Sequence, residues 1–192
     1  RPPPAAVRLA GPRVAHGPHR TEAKGVVGGR AVVSGFRADR VLVKYNGVPI
    51  PAGEGVPPGT SRRFVFAGLL GAHKGVGLLL DAWAAAVLPD GAELHVAGDG
   101  QLGPDVAAAA DRDPRITWHG HLPPDGVQAL MAGARTVVVP SRWEEPFGRV
   151  AAEALAHGRP VITTGSGGLA EIVDDSCGWV TGPQPEAMAR AL

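Results

Sequence analysis

The sequence predicts an α/β fold: a Rossmann-like, doubly wound parallel sheet of about six strands with helices on both faces. Three observations carry this. From residue 61 onward, short apolar runs alternate with stretches of helical spacing about six times. Two of the runs, TVVVP (136–140) and PVITT (160–164), are continuously apolar, as strands covered on both faces are. The glycines collect in turns that follow the runs, and open α/β sheets bind ligands outside the carboxyl ends of their strands.

In order, RFVFAGLL (63–70) is rich in Phe and Val and reads as a strand. KGVGLLLDAWAAAV (74–87) places Val76, Leu79, Leu80, Trp83 and Val87 at helical spacing. AELHVAG (92–98) is a strand, PDVAAAADR (104–112) a helix, RITWHG (115–120) a strand and PDGVQALMAGA (124–134) a helix. TVVVPS (136–141) is a strand, and GRVAAEALAHG (148–158) a helix opened by glycine. PVITT, GLAEIVD (168–174, a short helix), GWVTG (178–182) and PEAMARAL (185–192, a helix start running to the last residue) complete the series. Upstream, glycine and proline crowd residues 1–35 and 47–59. RAVVSGFRADRVLVKYN (30–46) has room for one or two strands, and GVPIPAGEGVPPG (47–59) reads as a linker or a long loop.

Bulk properties narrow the function. A length of 192 residues suits one domain, or one domain and part of another. A net charge of +1 gives no broad electrostatic case for nucleic acid or an anionic membrane. The single cysteine, Cys177, cannot form an internal disulfide and fits a reducing compartment. The longest apolar stretch, GVGLLLDAWAAAVL, is broken by Asp81 and is too short for a membrane span. His73, His95, His119, His121 and His157 fall on different elements, so no metal site is expected.

Several turns carry chemistry. GDGQLG (98–103) matches a dinucleotide fingerprint literally but lacks the acidic residue at the end of the next strand, which closes with Trp118, His119 and Gly120. Lys74 opens the first helix, where a lysine beside free amides suits a phosphate; a solvated surface lysine is the plain alternative. TGSGGLAEI presents the amides of Gly167, Gly168 and Leu169 at a helix start, with Glu171 in the first turn, where an acid is favoured for stability alone. EPFGRVAAE (145–153) sets Glu145 and Glu153 eight positions apart across a loop-to-helix junction. A helical path would separate their Cα atoms by roughly 12 Å, which disfavours two acids working on one glycosidic bond unless the loop folds back. The spacing fits two contacts on an elongated ligand, against the alternative of a charged surface helix.

In this order the motifs resemble the C-terminal, donor-binding domain of a retaining GT-B glycosyltransferase of family 4, the glycosyl transferases group 1 type. The resembling segments are YNGV (45–48), FAGLLGAHKGVGLLLDAW, LHVAGDG, VVVPSRWEEPFGRVAAEALAHGRPVI, GSGGLAEIV and GWVTGP. The resemblance covers about residues 45–192; residues 1–44 match little and would be a remnant of an N-terminal domain and hinge. It implies glycosyl transfer with retention from a nucleotide-diphosphate sugar, without cofactor or metal. Glu153 would hold the ribose and Glu145 the donor sugar, while Lys74 would neutralise the departing diphosphate. Phe147 and Gly148 would touch sugar or diphosphate through their backbone, with Gly68, Gly98, Gly100, Gly168 and the turn near Gly120 around the nucleotide. The family usually has an arginine directly after the glycine at 68; here it is Leu69, and Arg142 and Arg149 are the candidate substitutes. The acceptor domain would be missing from this chain, which would bind donor with little or no transfer. A cytoplasmic protein, with peripheral attachment to the inner membrane face as a variant, is the expected setting. The alternatives are a non-catalytic nucleotide-binding module and a GT-B-fold sugar-nucleotide epimerase.

Overall fold

All six expected strands pair in parallel in a computed structural model of the chain, which describes residues 47–51, 53 and 55–192. The strands are β1 (Arg63–Ala67), β2 (Glu93–Ala97), β3 (Ile116–Trp118), β4 (Thr136–Val139), β5 (Val161–Thr163) and β6 (Gly178–Val180), in the spatial order β3-β2-β1-β4-β5-β6. The helices are α1 (Val76–Ala85), α2 (Gly103–Arg112), α3 (Pro124–Ala132), α4 (Arg149–Ala156), α5 (Leu169–Ile172) and α6 (Pro185–Ala189).

The side-chain period of two along each strand divides the interior into two layers. Phe64, Phe66, Leu94, Val96, Ile116, Val138 and Ile162 point to one face, where they pack with Leu79, Trp83, Val106 and Met188 from α1, α2 and α6. Val65, Ala67, Ala97, Val137 and Val161 point to the other and meet Met131, Ala151, Ala154 and Leu169 from α3, α4 and α5. Trp83 is fully buried, stands edge-on to Phe64 with ring centroids 5.7 Å apart, and donates its indole N–H to Asp113 at 3.2 Å. Trp83 thus gains an apolar bed and a partner for its polar atom.

The expected elements appear with shorter bounds. RITWHG gives a strand of three residues because Gly120 turns the chain at φ +64°. The last helix ends at Ala189 rather than running to Leu192. Where it is described, the Pro/Gly-rich run behaves as a docked loop: Val56 N–H donates to the Ala132 carbonyl at 3.2 Å, and the buried Arg159 donates to the carbonyls of Val56 and Ala134. The expected strands in residues 30–46, and the boundary at 44/45, lie outside the described residues.

The order of strands fixes where a ligand fits. The connection from β1 leads to β2 on one side and that from β4 to β5 on the other. The loops leaving these two central neighbours therefore diverge and open a crevice between them.

Candidate functional site

Backbone hydrogen bonds tie together the loops that leave β1, β2 and β3. Gly68 N–H donates to the Ala97 carbonyl, Leu70 N–H to Asp99, Leu102 N–H to Leu70 and Gly98 N–H to Gly120, at 2.7–2.9 Å. Gly98 has φ +139° and a Cβ there would overlap the Gly68 carbonyl; a Cβ at Gly100 would stand 2.6 Å from the Leu70 oxygen. What approaches the GDGQLG backbone closely is thus the neighbouring loop, and that packing accounts for both glycines. Gly68 differs, since a Cβ there meets nothing nearer than the Phe66 ring at 3.8 Å. Its loop continues into Leu69, which is 54% exposed.

A second cluster joins the β1 loop to the β4 loop. Gly75 holds φ +77° at the start of α1, and a side chain there would run into the Pro140 carbonyl at the end of β4. Arg142 N–H donates to the His73 carbonyl at 2.9 Å. This contact brings Lys74 over the β4 loop, where its ammonium donates to Glu145 Oε1 at 2.5 Å. The hydroxyl of Ser141, a residue 1% exposed, lies 3.0 Å from the same oxygen, and the Thr164 hydroxyl donates to the Ser141 carbonyl. The Glu145 backbone is held from the other side: Gly168 N–H donates to its carbonyl at 2.6 Å, and Gly167 forms a bridge to it. Side chains at Gly167 and Gly168 would strike Glu145 and Phe147. The GSGG turn therefore seats the EPFG loop.

Gly148 caps α4 in the left-handed region, at φ +85°. The first helical bond runs from Ala152 N–H to the Gly148 carbonyl, so the amides of residues 149–151 precede the ladder and point out of the helix start beside Glu145. One turn in, Glu153 is 7% exposed within an alanine-rich buried face and accepts from Arg149 Nε at 2.7 Å. Glu153 and Arg149 line a groove of about 930 Å³ between α3, α4 and residues Pro49, Pro51, Gly53 and Gly55, together with Gly68, His121, Gln128 and His157. His157 bonds Gln128 Oε1 through Nε2 at 2.6 Å. Burial, followed by the nearby Arg159 charge, pushes the His157 pKa below its ordinary value, so the imidazole favours its neutral form.

Lys74, Glu145, Phe147, Gly148 and Gly168 thus meet in one corner; Glu153, Arg149 and Gly68 line the adjoining groove; Gly98 and Gly100 brace the loops. Arg142 stands at the rim with an exposed side chain. Ser141, Gln128 and His157 carry polar contacts that the sequence did not single out. No three His, Cys, Asp or Glu side chains converge as a metal set among the described residues, and no described helix is long and apolar enough to cross a membrane.

Known proteins place this arrangement. The uncharacterized glycosyltransferase MJ1607 of Methanocaldococcus jannaschii is 32% identical over 133 residues, covering 67% of this chain and 34% of its own length. A D-inositol 3-phosphate glycosyltransferase of Corynebacterium kroppenstedtii is 36% identical over 90 residues, covering 46% and 20%. Among solved structures, Anabaena HepE in complex with UDP and glucose superposes with a TM-score of 0.72 and 26% identity, over 85% of this chain and 49% of HepE. The chain thus spans about a third or less of these two curated relatives and half of HepE. The family model described as glycosyl transferases group 1 matches residues 61–192, and the chain belongs to that family.

Proposed function

We propose that the chain is the donor half of an enzyme that transfers a sugar, with retention, from a nucleoside-diphosphate sugar to an acceptor. The observation that carries this is the convergence of Lys74 and Ser141 on Glu145, just ahead of α4 in the chain, at the crevice between β1 and β4. A donor laid across that crevice would put its ribose on Glu153 in the groove, its diphosphate against Lys74 and the amides of residues 149–151, and its sugar on Glu145. The backbone of Phe147 and Gly148 lies between those positions, and the Gly68 loop offers open backbone to the nucleotide.

As the bond from the anomeric carbon to the diphosphate breaks, negative charge grows on the leaving oxygens. An ammonium and oriented amides already in place stabilise that charge without reorganising, which lowers the barrier. In this reading Lys74 does the work that a divalent cation does in other transferases. The HepE complexes with UDP and UDP-glucose support a uridine donor, and an acceptor domain would complete the enzyme. Work in the cytoplasm, or at the inner membrane face, fits a soluble donor of this kind.

Calorimetric titration of the folded chain with UDP-, GDP- and ADP-glucose tests the reading. Binding of one of them in the micromolar to millimolar range is expected, and no heat with any of the three sinks it. A bare nucleotide-binding module is favoured by one observation, the exposed Leu69 where the family usually has arginine. Equal affinity for the nucleotide and its sugar conjugate would favour that module.

A further inference from the structure

Lys74 and Glu145, the proposed contacts for diphosphate and sugar, are bonded to each other at 2.5 Å. We infer that this ion pair makes Glu145 a specificity-determining residue, which sets the site against a bare nucleoside diphosphate and in favour of its sugar conjugate. The inference rests on the functional reading above and deepens it.

The two partners are not equally free. The Glu145 side chain is 13% exposed and that of Lys74 31%. Glu145 is held the more closely: Gly168 N–H and the Gly167 bridge fix its backbone, and the buried Ser141 hydroxyl sits against its carboxylate. Lys74 rides on a single 3-10 turn, Ala72–Lys74, and its flexible stem lets the ammonium move.

A diphosphate reaching Lys74 therefore meets one of two penalties. If the ion pair holds, a phosphate oxygen on the same ammonium lies within roughly 5 Å of the Glu145 carboxylate, and two anions at that range repel. If the pair breaks, Glu145 keeps the Ser141 hydroxyl alone, as a poorly solvated carboxylate without its cation. A sugar on the diphosphate removes the second penalty. Its hydroxyls donate to Glu145 and replace the lysine, while the lysine passes to the phosphate. The conjugate thus satisfies both members of the pair, and the bare diphosphate only one. After transfer the product is such a bare diphosphate, and Glu145 reclaiming Lys74 would help expel it.

Titration of UDP, UDP-glucose and inorganic pyrophosphate into the whole chain tests this; the GDP or ADP pair replaces the uridine one if the calorimetric panel selects it. Wild type should prefer the conjugate. Glu145→Gln keeps the shape and the Ser141 contact but removes the charge; it should bind UDP and pyrophosphate about fivefold more tightly and UDP-glucose more weakly, reversing the preference. The gain should vanish in the double variant Lys74→Met/Glu145→Gln, which shows that it comes through the lysine. If Glu145→Gln leaves UDP and pyrophosphate affinity unchanged or lower while wild type binds UDP-glucose, this inference is overturned and the functional reading stands. If wild type binds no nucleotide sugar, both fall together.

Discussion

The two glutamates of EPFGRVAAE are both largely shielded and both paired with a cation, yet they are held in opposite ways. Lys74–Glu145 joins residues 71 apart, from the loop after β1 to the loop after β4, with Ser141 against the same oxygen. Arg149–Glu153 is an i,i+4 pair on one helix, its carboxylate side chain 9% exposed and its guanidinium side chain 70% exposed. The first pair is a product of the tertiary fold and is costly to open. In the second, the arginine can swing into water while the glutamate stays where helix α4 puts it. A site that must trade its own contacts for a ligand's can thus have one stiff end and one compliant end.

The stiff end breaks most completely at Gly75. Its φ of +77° strains any side chain, and a Cβ there would overlap the Pro140 carbonyl. Gly75→Ala should cost roughly 3 kcal/mol in chemical denaturation and push the β1 loop off the β4 loop, with loss of measurable donor binding. Two residues on, Gly77 lies inside α1 with open space where its Cβ would be. Gly77→Ala should stabilise the chain by about 0.5–1 kcal/mol. Equal stabilities for the two variants would undo this account of how Lys74 is placed.

The compliant end is tested at Glu153, which lines the groove and is buried on α4. Removing a shielded carboxylate proposed to accept from the ribose hydroxyls should weaken UDP and UDP-glucose by the same factor, about tenfold or more. Glu145→Gln separates the two ligands, whereas Glu153→Ala should not. A loss confined to UDP-glucose would mean that the sugar, rather than the ribose, reaches Glu153.

The contrast also marks what the sequence reveals. The strand–helix alternation and the glycine punctuation are local, so all six strands and the helices between them were legible, with only their ends displaced. The two glutamates were legible because their motif is contiguous. The contacts that make them different were not. Lys74–Glu145 spans 71 residues and His157–Gln128 spans 29, and no periodicity reaches that far. Ser141 looked like the end of a strand and proves to sit against the Glu145 carboxylate. Gly98 and Gly100 looked like ligand glycines, and their neighbours are the Gly68 and Leu70 backbones. Arg159, which the sequence did not single out, is buried against three carbonyls, those of Val56, Ala134 and His157. Except for Ser141, which meets a residue of its own loop, the deciding partner comes from a distant part of the chain.

The smallest effect expected is at Arg149, and it bears on the missing arginine at position 69. As an i,i+4 pair whose arginine is largely in solvent, Arg149–Glu153 contributes only about 0.3–0.5 kcal/mol to stability, so Arg149→Ala should leave the unfolding midpoint almost unmoved. Its effect on binding is a separate matter. When ribose hydroxyls occupy Glu153, the guanidinium loses its partner at the first position of α4, next to the amides proposed to face the diphosphate. Released there, it can take the phosphate contact that Leu69 cannot. UDP and UDP-glucose affinity should then fall by a factor of about two to five in Arg149→Ala, with a shallower dependence on salt than in wild type. Unchanged affinity and salt dependence would remove Arg149 from the site and leave Lys74 as the cation that meets the diphosphate, with Arg142 at the rim as the next residue to vary.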